Sequence, residues 1–362
     1  MSKKKILLSI LVLVSLFSLV GCSLFGFDSK EPTVIEKENP TIVEIQNDIT
    51  ETYELVSKGC VGVYATSSSA SSIGSGVIYK HDDTSGLYYV VTNAHVVDGM
   101  NKFKIYRGNN RYYKASLVGK DVKNDIAVLT FSLDLFGADD IYIVDIVNYD
   151  DEIVTVGQTA LAIGCPLSFD NYNTLTTGVV SKVTKTQIQT NAEINPGNSG
   201  GGLFNASGRL IGINTEKEIY TTGEASDGSM TQIPVEGLGY AISLEVVKKC
   251  ILDIEENGTI EARPQLGITV KAVNRYLSEE SLVNLLPNTV DQAIVITEVA
   301  AGSASRAGLK ANDVILKVNN ETITNLVDLS YIVNLAMPND TLTMEIYRHT
   351  TSEYLTINVT LN

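Results

Sequence analysis

The sequence predicts a mainly β protein made of two small β-barrels and a separate α+β domain at the C-terminal end. From Val61 onward, short runs rich in β-branched and aromatic residues alternate with clusters of Gly, Ser, Asn and Asp, a spacing typical of barrels and sandwiches. Helical periodicity is clearest in Leu244–Glu256, whose apolar residues share one face before Gly258 ends the helix. A second group of strands, with a short helix of its own, follows from Gln265.

The first 21 residues are predicted to be a signal peptide. Lysines at positions 3–5 precede a 15-residue apolar run, Ile6–Val20, and Gly21 then leads into Cys22. This end resembles a bacterial lipobox, which implies that Cys22 becomes an acylated N-terminus; an uncleaved signal anchor is the alternative. Both hypotheses put the rest of the chain outside the cytoplasmic membrane, and the first predicts a lipid anchor on the extracytoplasmic face of the cell membrane.

A polar segment, residues 22–50, follows the signal peptide. Pro32 and Pro40 interrupt it, and it holds too few apolar residues to build a core. We therefore interpret it as a tether that holds the folded part away from the membrane.

Composition narrows the class of protein. The 362 residues have a net charge of −15 and are 44% hydrophobic, which is too apolar for a disordered chain and leaves no basic surface for nucleic acid. The apolar run Ile6–Val20 is shorter than the roughly 20 residues of a membrane helix, so a polytopic membrane protein is excluded. If Cys22 is lipidated, Cys60, Cys165 and Cys250 allow at most one disulfide.

Two short motifs place polar residues at the ends of apolar strands. Thr92-Asn93-Ala94-His95-Val96-Val97 puts one of the three histidines after a strand, and Asn124-Asp125-Ile126-Ala127-Val128-Leu129 puts a carboxylate before one. Each motif is weak alone, because a histidine after a strand is often structural and aspartate commonly occurs in turns. Together they offer a general base and a carboxylate that could orient it.

Residues 195–201, Asn-Pro-Gly-Asn-Ser-Gly-Gly, form a more specific motif. A nucleophilic serine needs a tight loop that presents its Oγ to a base while backbone N–H groups converge on the oxyanion, and glycines permit the positive φ values of such a loop. An ordinary glycine-rich hairpin is the alternative for this motif taken alone. The order His95, Asp125, Ser199 across two halves of a β-rich region favours a serine-protease triad.

The motifs TNAHVV, NDIAVL and INPGNSGG resemble the three signatures of the HtrA/DegP family of chymotrypsin-fold serine proteases. The resemblance covers roughly residues 51–362. It implies a two-barrel chymotrypsin-like protease domain at 51–262 and one PDZ domain at 263–362. It also implies a serine endopeptidase of protein quality control that cleaves unfolded or misfolded proteins, forms a homotrimer, and uses no cofactor or metal.

The resemblance assigns a role to each motif residue. Ser199 is the nucleophile, His95 is the general base and acid, and Asp125 orients His95 and stabilises its charged form. The backbone of Gly197, Asn198 and Ser199 forms the oxyanion hole. The implied substrate-binding residues are Ile194, Asn195, Ile213, Asn214 and Thr215.

The part from Gln265 resembles a bacterial PDZ domain. In such a domain an extended peptide pairs with one strand, here beginning at Ile268, while the peptide's C-terminal carboxylate meets the N–H groups of the preceding turn. The implied peptide-binding residues are Leu266, Gly267, Ile268 and Thr269. A β-rich domain used only for packing is the alternative.

Several residues depart from the family pattern. Asn191, Glu193 and Gly202 replace the usual Asp, Ala and Pro near the nucleophile. Glu193 lies beside the segment expected to line the primary specificity pocket, where the resemblance implies a preference for small apolar residues such as Val or Ala. Asn312 and Asn320 stand where the PDZ pattern has Gly, and because Asn tolerates left-handed backbone, we expect both turns to survive.

Two loops also differ from the family. Thr184–Gln187 stands where the family has a longer sensor loop, so we expect at most a tight hairpin that does not reach the PDZ domain. On that basis PDZ occupancy would act mainly on substrate capture. Glu216–Glu236 is long, polar and acidic, and we interpret it as a solvated loop, with a gate over the specificity pocket as the alternative.

A second hypothesis comes from a different class of function. The chain could be a chaperone or scaffold whose PDZ domain captures exposed C-termini, with proteolysis weak or absent. The triad does not favour this hypothesis, but a collapsed oxyanion hole would produce it.

Overall fold

A computed structural model describes residues 42–133, 140–146, 154–215, 220–224, 230–234 and 237–362. The predicted signal peptide, Cys22 and most of the predicted tether lie outside the described residues. Within the described residues, no helix is both long enough and apolar enough to span a membrane.

The described residues contain six α-helices and twenty strands. The helices are α1 Ile42–Val56, α2 Ala94–Val97, α3 Leu244–Asn257, α4 Glu280–Val283, α5 Ser303–Ala307 and α6 Leu326–Leu335. The strands before the C-terminal domain are β1 Cys60–Thr66, β2 Ser71–Asp82, β3 Leu87–Thr92, β4 Lys102–Tyr106, β5 Tyr112–Asp121, β6 Ile126–Ser132, β7 Thr159–Gly164, β8 Thr174–Val183, β9 Gln187–Thr190, β10 Gly202–Phe204, β11 Leu210–Thr215, β12 Tyr220–Glu224, β13 Met230–Pro234 and β14 Gly239–Ser243. Those of the C-terminal domain are β15 Ile268–Asn274, β16 Gln292–Val299, β17 Asp313–Val318, β18 Glu321–Thr322, β19 Thr341–Arg348 and β20 Glu353–Thr360.

Twelve of these strands form two closed six-stranded barrels, which confirms the predicted fold class. The first barrel has the order β1-β2-β3-β6-β5-β4 and closes where β1 pairs with β4. The second has the order β10-β11-β14-β9-β8-β7 and closes where β10 pairs with β7. Large side chains such as Ile78, Leu129 and Phe131 fill the first barrel, whereas smaller ones such as Ala160, Ala162 and Ala241 are prominent in the second.

Helix α3 follows the second barrel directly, as the periodicity predicts. Its apolar face is buried, and Gly258 ends it with a φ of 76° while donating its N–H to the carbonyl of Ile254 at 2.8 Å. The ψ of this glycine is −139°, and this combination of φ and ψ is adopted almost exclusively by glycine, so Gly258 ends the helix.

The C-terminal domain has a sheet of order β15-β16-β17-β19-β20, with β18 paired to β17. Asn312 and Asn320, which replace the usual glycines, have φ values of 69° and 68°. The expectation that asparagine would preserve these left-handed turns is therefore confirmed.

A buried ion cluster joins the protease and PDZ domains. The guanidinium of Arg263 donates to Asp121 at the end of β5, at 2.7 Å, and to Asp253 of α3, at 2.8 Å. These side chains are 1%, 0% and 6% exposed. Arg263 also donates to the carbonyls of Leu335 and Ala336 at the end of α6, at 3.1 and 3.3 Å. We call Arg263, Asp121 and Asp253 the Arg263 cluster.

The turn between β8 and β9 reaches the PDZ domain, so the expectation that it would not is wrong. The N–H of Thr184 donates to the carbonyl of Gln187 at 2.9 Å, which makes the tight turn that the sequence predicts. Lys185, at the tip, pairs with Glu321 of the PDZ domain, and its ammonium lies 5.3 Å from the ring centroid of Tyr331. The turn is short, but the two domains are packed close enough for one lysine side chain to span between them.

Two further segments differ from the sequence interpretation. The predicted tether runs through residue 50, yet α1 begins at Ile42. Thr52 and Tyr53 of this helix donate to the carbonyls of Ala206 and Asn173, both at 2.8 Å, and fix it to the second barrel. The acidic segment 216–236 includes a two-stranded antiparallel sheet of β12 and β13, so it is not wholly loop.

Candidate active site

His95 and Asp125 lie at the ends of two adjacent strands of the first barrel, β3 and β6. β3 delivers His95 on the single turn of α2, and β6 begins directly after Asp125. The ring Nδ1 of His95 lies 2.9 Å from Asp125 Oδ2, and the backbone N–H of His95 donates to Asp125 Oδ1 at 3.0 Å. The carboxylate therefore fixes both the ring and the backbone of the histidine.

Asp125 is itself held in an unusual backbone conformation. Its φ is 56°, a left-handed value that is uncommon for residues other than glycine but that aspartate and asparagine tolerate best. The side-chain amide of Asn93 donates to the Asp125 carbonyl at 2.9 Å, and Thr215 Oγ1 donates to its Oδ2 at 3.1 Å. Thr215 belongs to the second barrel, so the carboxylate joins the two barrels.

The loop around Ser199 is fastened to the first barrel by Ser75. Ser75 donates its N–H to the Ser199 carbonyl and its Oγ to the Gly197 carbonyl, both at 2.7 Å. Its Oγ also accepts the N–H of Cys165 at 2.9 Å. Ser75 is 0% exposed and Ser199 is 2% exposed, so this framework is shielded from water. No sequence motif marks Ser75; the glycines on both sides of it, Gly74 and Gly76, are the signal that could have indicated it.

The histidine segment and the serine loop meet at Gly74. A Cβ on Gly74 would lie 2.7 Å from the Val96 side chain and 3.1 Å from the Ser199 carbonyl. Val96 directly follows His95, so the structure brings the segments that bear all three predicted triad residues together at the junction of the barrels.

The backbone of Gly197 has the features of an oxyanion donor. Its φ is 98°, and a Cβ at this position would collide with the Cys165 carbonyl and approach Leu167 N to 2.8 Å. Among the described residues, none accepts a hydrogen bond from the Gly197 N–H. A glycine is thus required here, and it leaves one donor available to a substrate oxygen.

The predicted substrate-binding residues divide into two groups. Ile194 is half-buried and Asn195 is exposed, so both are accessible. Ile213 and Asn214 are 0% exposed, so any contact with a substrate would be made by their backbone, and their role in substrate binding stays a prediction. Asn214 also supports the nucleophile loop, because its carbonyl accepts the N–H of Gly200 at 2.9 Å and its N–H donates to the Gly201 carbonyl at 2.8 Å.

The three described cysteines are free and buried. Burial raises the pKa of the Cys165 thiol to about 11, and burial also raises the pKa values of the Cys60 and Cys250 thiols well above their ordinary range. A thiol with a raised pKa is a poor nucleophile at neutral pH. None of these three thiols is therefore suited to act as the nucleophile, which leaves Ser199 as the candidate.

Gly200→Ala is expected to disrupt the site. The φ of Gly200 is 87°, and a Cβ there would collide with the Ser75 carbonyl and with Thr92 Oγ1. Gly86→Ala is the matched control, because Gly86 has a similar φ of 68° but no atom within 4 Å of the added Cβ. We expect roughly 1–2 kcal/mol of destabilisation for the control, from backbone strain alone, and a larger loss for Gly200→Ala together with most of the peptidase activity. Thermal unfolding and peptide hydrolysis measure both; equal effects of the two substitutions would contradict the proposed crowding.

A groove of 850 Å³ lies along β15 of the PDZ domain. Leu266, Gly267, Ile268 and Thr269, the predicted peptide-binding residues, all line it, as do Leu329 and Val333 of α6. The carbonyls of Leu266 and Gly267 accept from Ala304 and Ala300, whereas no described residue accepts the N–H of Leu266 or Gly267. The turn therefore has donors available at the end of an apolar groove.

Comparisons with known proteins agree with this arrangement. Residues 74–213 match the trypsin-like peptidase domain family, and residues 259–347 match the PDZ domain family. The chain is 37% identical over 338 residues to a Serine protease Do-like HtrA of Lactococcus lactis subsp. cremoris, covering 87% of this chain and 79% of the relative. It is 33% identical over 345 residues to the Serine protease Do-like HtrA of Bacillus subtilis, covering 89% and 70%. The solved structure of the HtrA-type protease AlgW with a tripeptide matches with a TM-score of 0.66 and 28% identity, covering 87% of this chain and 96% of that one.

Proposed function

Because this chain belongs to the HtrA/DegP family and is a serine endopeptidase with one PDZ domain, we propose that it degrades unfolded or misfolded proteins while tethered to the extracytoplasmic face of the cell membrane. The observation that supports the catalytic part most directly is the Asp125 carboxylate, which holds His95 from two sides within a site where Ser199 is buried.

The proposed mechanism uses His95, Asp125 and Ser199 as a triad. Asp125 accepts the Nδ1–H of His95, which leaves Nε2 as the base that takes the Ser199 Oγ proton during attack on the scissile carbonyl. His95 then returns the proton to the leaving amine, while Asp125 stabilises the imidazolium. The N–H groups of Gly197 and Ser199 stabilise the oxyanion.

The PDZ groove is proposed to capture substrates by their C-termini or extended segments. A bound peptide would add to the free edge of β15, with its last apolar side chain near Leu329 and Val333 and its carboxylate at the Leu266–Ile268 turn. The family resemblance further supports a homotrimer, which sedimentation equilibrium of the purified chain would test.

Labelling with a fluorophosphonate tests the catalytic assignment. This reagent reacts covalently with an activated serine, so we expect labelling of the wild type and none of Ser199→Ala. Ser75→Ala also removes a buried serine hydroxyl near the loop and should still label, though more slowly, because the loop loses its fastening. No labelling of the wild type would support the alternative, a binding module with a collapsed oxyanion hole.

Cys22→Ala tests the proposed anchor. We expect the variant to lack acyl groups and either to persist as an unprocessed precursor or to be released from the membrane, because lipid chains provide the attachment. Cys60→Ala is the control, since a buried thiol cannot serve as an anchor. Metabolic labelling with a fatty acid and detergent phase partitioning measure both variants. Membrane retention of a processed Cys22→Ala chain without acyl groups would contradict the lipoprotein hypothesis.

A further inference from the structure

The PDZ groove is lined by residues of both domains. Val122 and Lys123 lie in the short connection between β5 and β6 of the protease barrel, and they form a wall of the same cavity as the Leu266–Ile268 turn and α6. The following argument rests on the proposed capture of peptides in this groove.

The protease wall is fixed relative to the groove. The N–H of Val122 donates to the carbonyl of Ile260 at 3.2 Å, just before the PDZ domain. The side-chain amide of Asn124 donates to the carbonyl of Asn334, in the last turn of α6, at 3.0 Å, and to Asp121 at 2.8 Å. Lys123 is thus held between two anchored neighbours.

Lys123 has a charge that the described part of the chain does not neutralise. It is exposed, and no described residue forms an ion pair or a hydrogen bond with its ammonium group. Arg263, the other cation that lines the cavity, is buried and bound to Asp121 and Asp253. Two carboxylates, Glu261 and Glu298, also line the cavity; Glu261 interacts electrostatically with Lys120, and Glu298 lies 3.5 Å from the Thr269 hydroxyl.

The N–H donors of Leu266 and Gly267 and the ammonium of Lys123 offer complementary partners for one anion. A peptide's C-terminal carboxylate is an anion with two oxygens, so it can accept from the turn through one and from the ammonium through the other. We propose that Lys123 of the protease domain completes the carboxylate-binding site of the PDZ domain. The ligand class is therefore a peptide with a free C-terminal carboxylate and an apolar last side chain.

Binding measurements on the full chain carrying Ser199→Ala, which prevents cleavage, test this inference. The probe is a fluorescent hexapeptide with an apolar last residue, prepared once with a free carboxylate and once as the C-terminal amide. We expect Lys123→Gln to weaken binding of the free acid by roughly three- to tenfold, as for other exposed or partly exposed charge pairs, and to leave the Kd of the amide unchanged. Lys123→Arg should retain most of the affinity, and the effect of Lys123→Gln should shrink in high salt.

Lys114→Gln is the matched control, because Lys114 is an exposed lysine on the same strand as Asp121 but does not line the cavity. It should leave both Kd values unchanged. Free-acid binding that exceeds amide binding and is equally strong in Lys123→Gln would overturn the role of Lys123 while leaving PDZ capture intact. If neither peptide binds the Ser199→Ala chain that retains Lys123, both PDZ capture and this inference are overturned.

Discussion

Ser199→Ala and His95→Ala are each expected to lower kcat/KM for a peptide substrate by roughly 10⁴- to 10⁶-fold, and the double substitution is expected to lower it hardly further. The reason is mechanistic: the base has no function without the nucleophile, and the nucleophile is not activated without the base. Steady-state hydrolysis of a chromogenic peptide by purified variants measures these losses.

Thr215→Val is a milder substitution whose loss of activity can be compared with those of Ser199→Ala and His95→Ala. It removes the hydroxyl that donates to Asp125 but none of the triad groups, so we expect a smaller loss, on the order of tenfold, from a carboxylate that is held less firmly. Losses for Ser199→Ala and His95→Ala that multiply in the double variant would show that the two residues do not act as one unit.

Arg263→Ala is expected to destabilise the chain by about 3–5 kcal/mol, because it leaves two buried carboxylates side by side without their cation. The same substitution removes the donors from the carbonyls at the end of α6, so the PDZ domain should loosen from the protease domain. Thermal unfolding, together with limited proteolysis of the region between Asn257 and Ile268, measures both effects.

Lys58→Ala is the control for Arg263→Ala. Lys58 and Asp140 form an ion pair at 2.5 Å, but their side chains are 41% and 81% exposed. Exposed pairs contribute only about 0–1 kcal/mol, so this variant should unfold close to the wild type. Similar unfolding of the Arg263→Ala and Lys58→Ala variants would mean that the Arg263 cluster does not stabilise the domain junction.

The sequence was sufficient for the fold and for the local motifs, since these depend on short-range patterns. Short runs rich in β-branched and aromatic residues, separated by clusters of Gly, Ser, Asn and Asp, predicted the strands, and the apolar face of Leu244–Glu256 predicted α3. The motif around Ser199 predicted a loop with left-handed glycines because glycine adopts such backbone with the least strain.

Contacts between segments far apart in the chain could not be predicted in the same way. The Lys185–Glu321 pair joins residues 136 positions apart, and its existence depends on how closely the PDZ domain packs against the second barrel. The hydrogen bond from Thr215 to Asp125 likewise depends on the packing of one barrel on the other. No motif in the sequence marks Arg263, and only the structure shows it buried between two carboxylates.

The closure of the two barrels limits where another β-strand can join this protein. A closed barrel has no edge, so neither barrel offers unpaired backbone groups along the length of a strand. The PDZ sheet, in contrast, has edges at β15 and β20. Unfolded chains with exposed β-forming segments can pair with an open strand edge of a protease and incorporate it into an aggregate. In this protein the open edge that borders a peptide groove is β15, and β15 belongs to the domain proposed to bind such chains. The catalytic barrels are thereby protected from the templated pairing that drives amyloid growth.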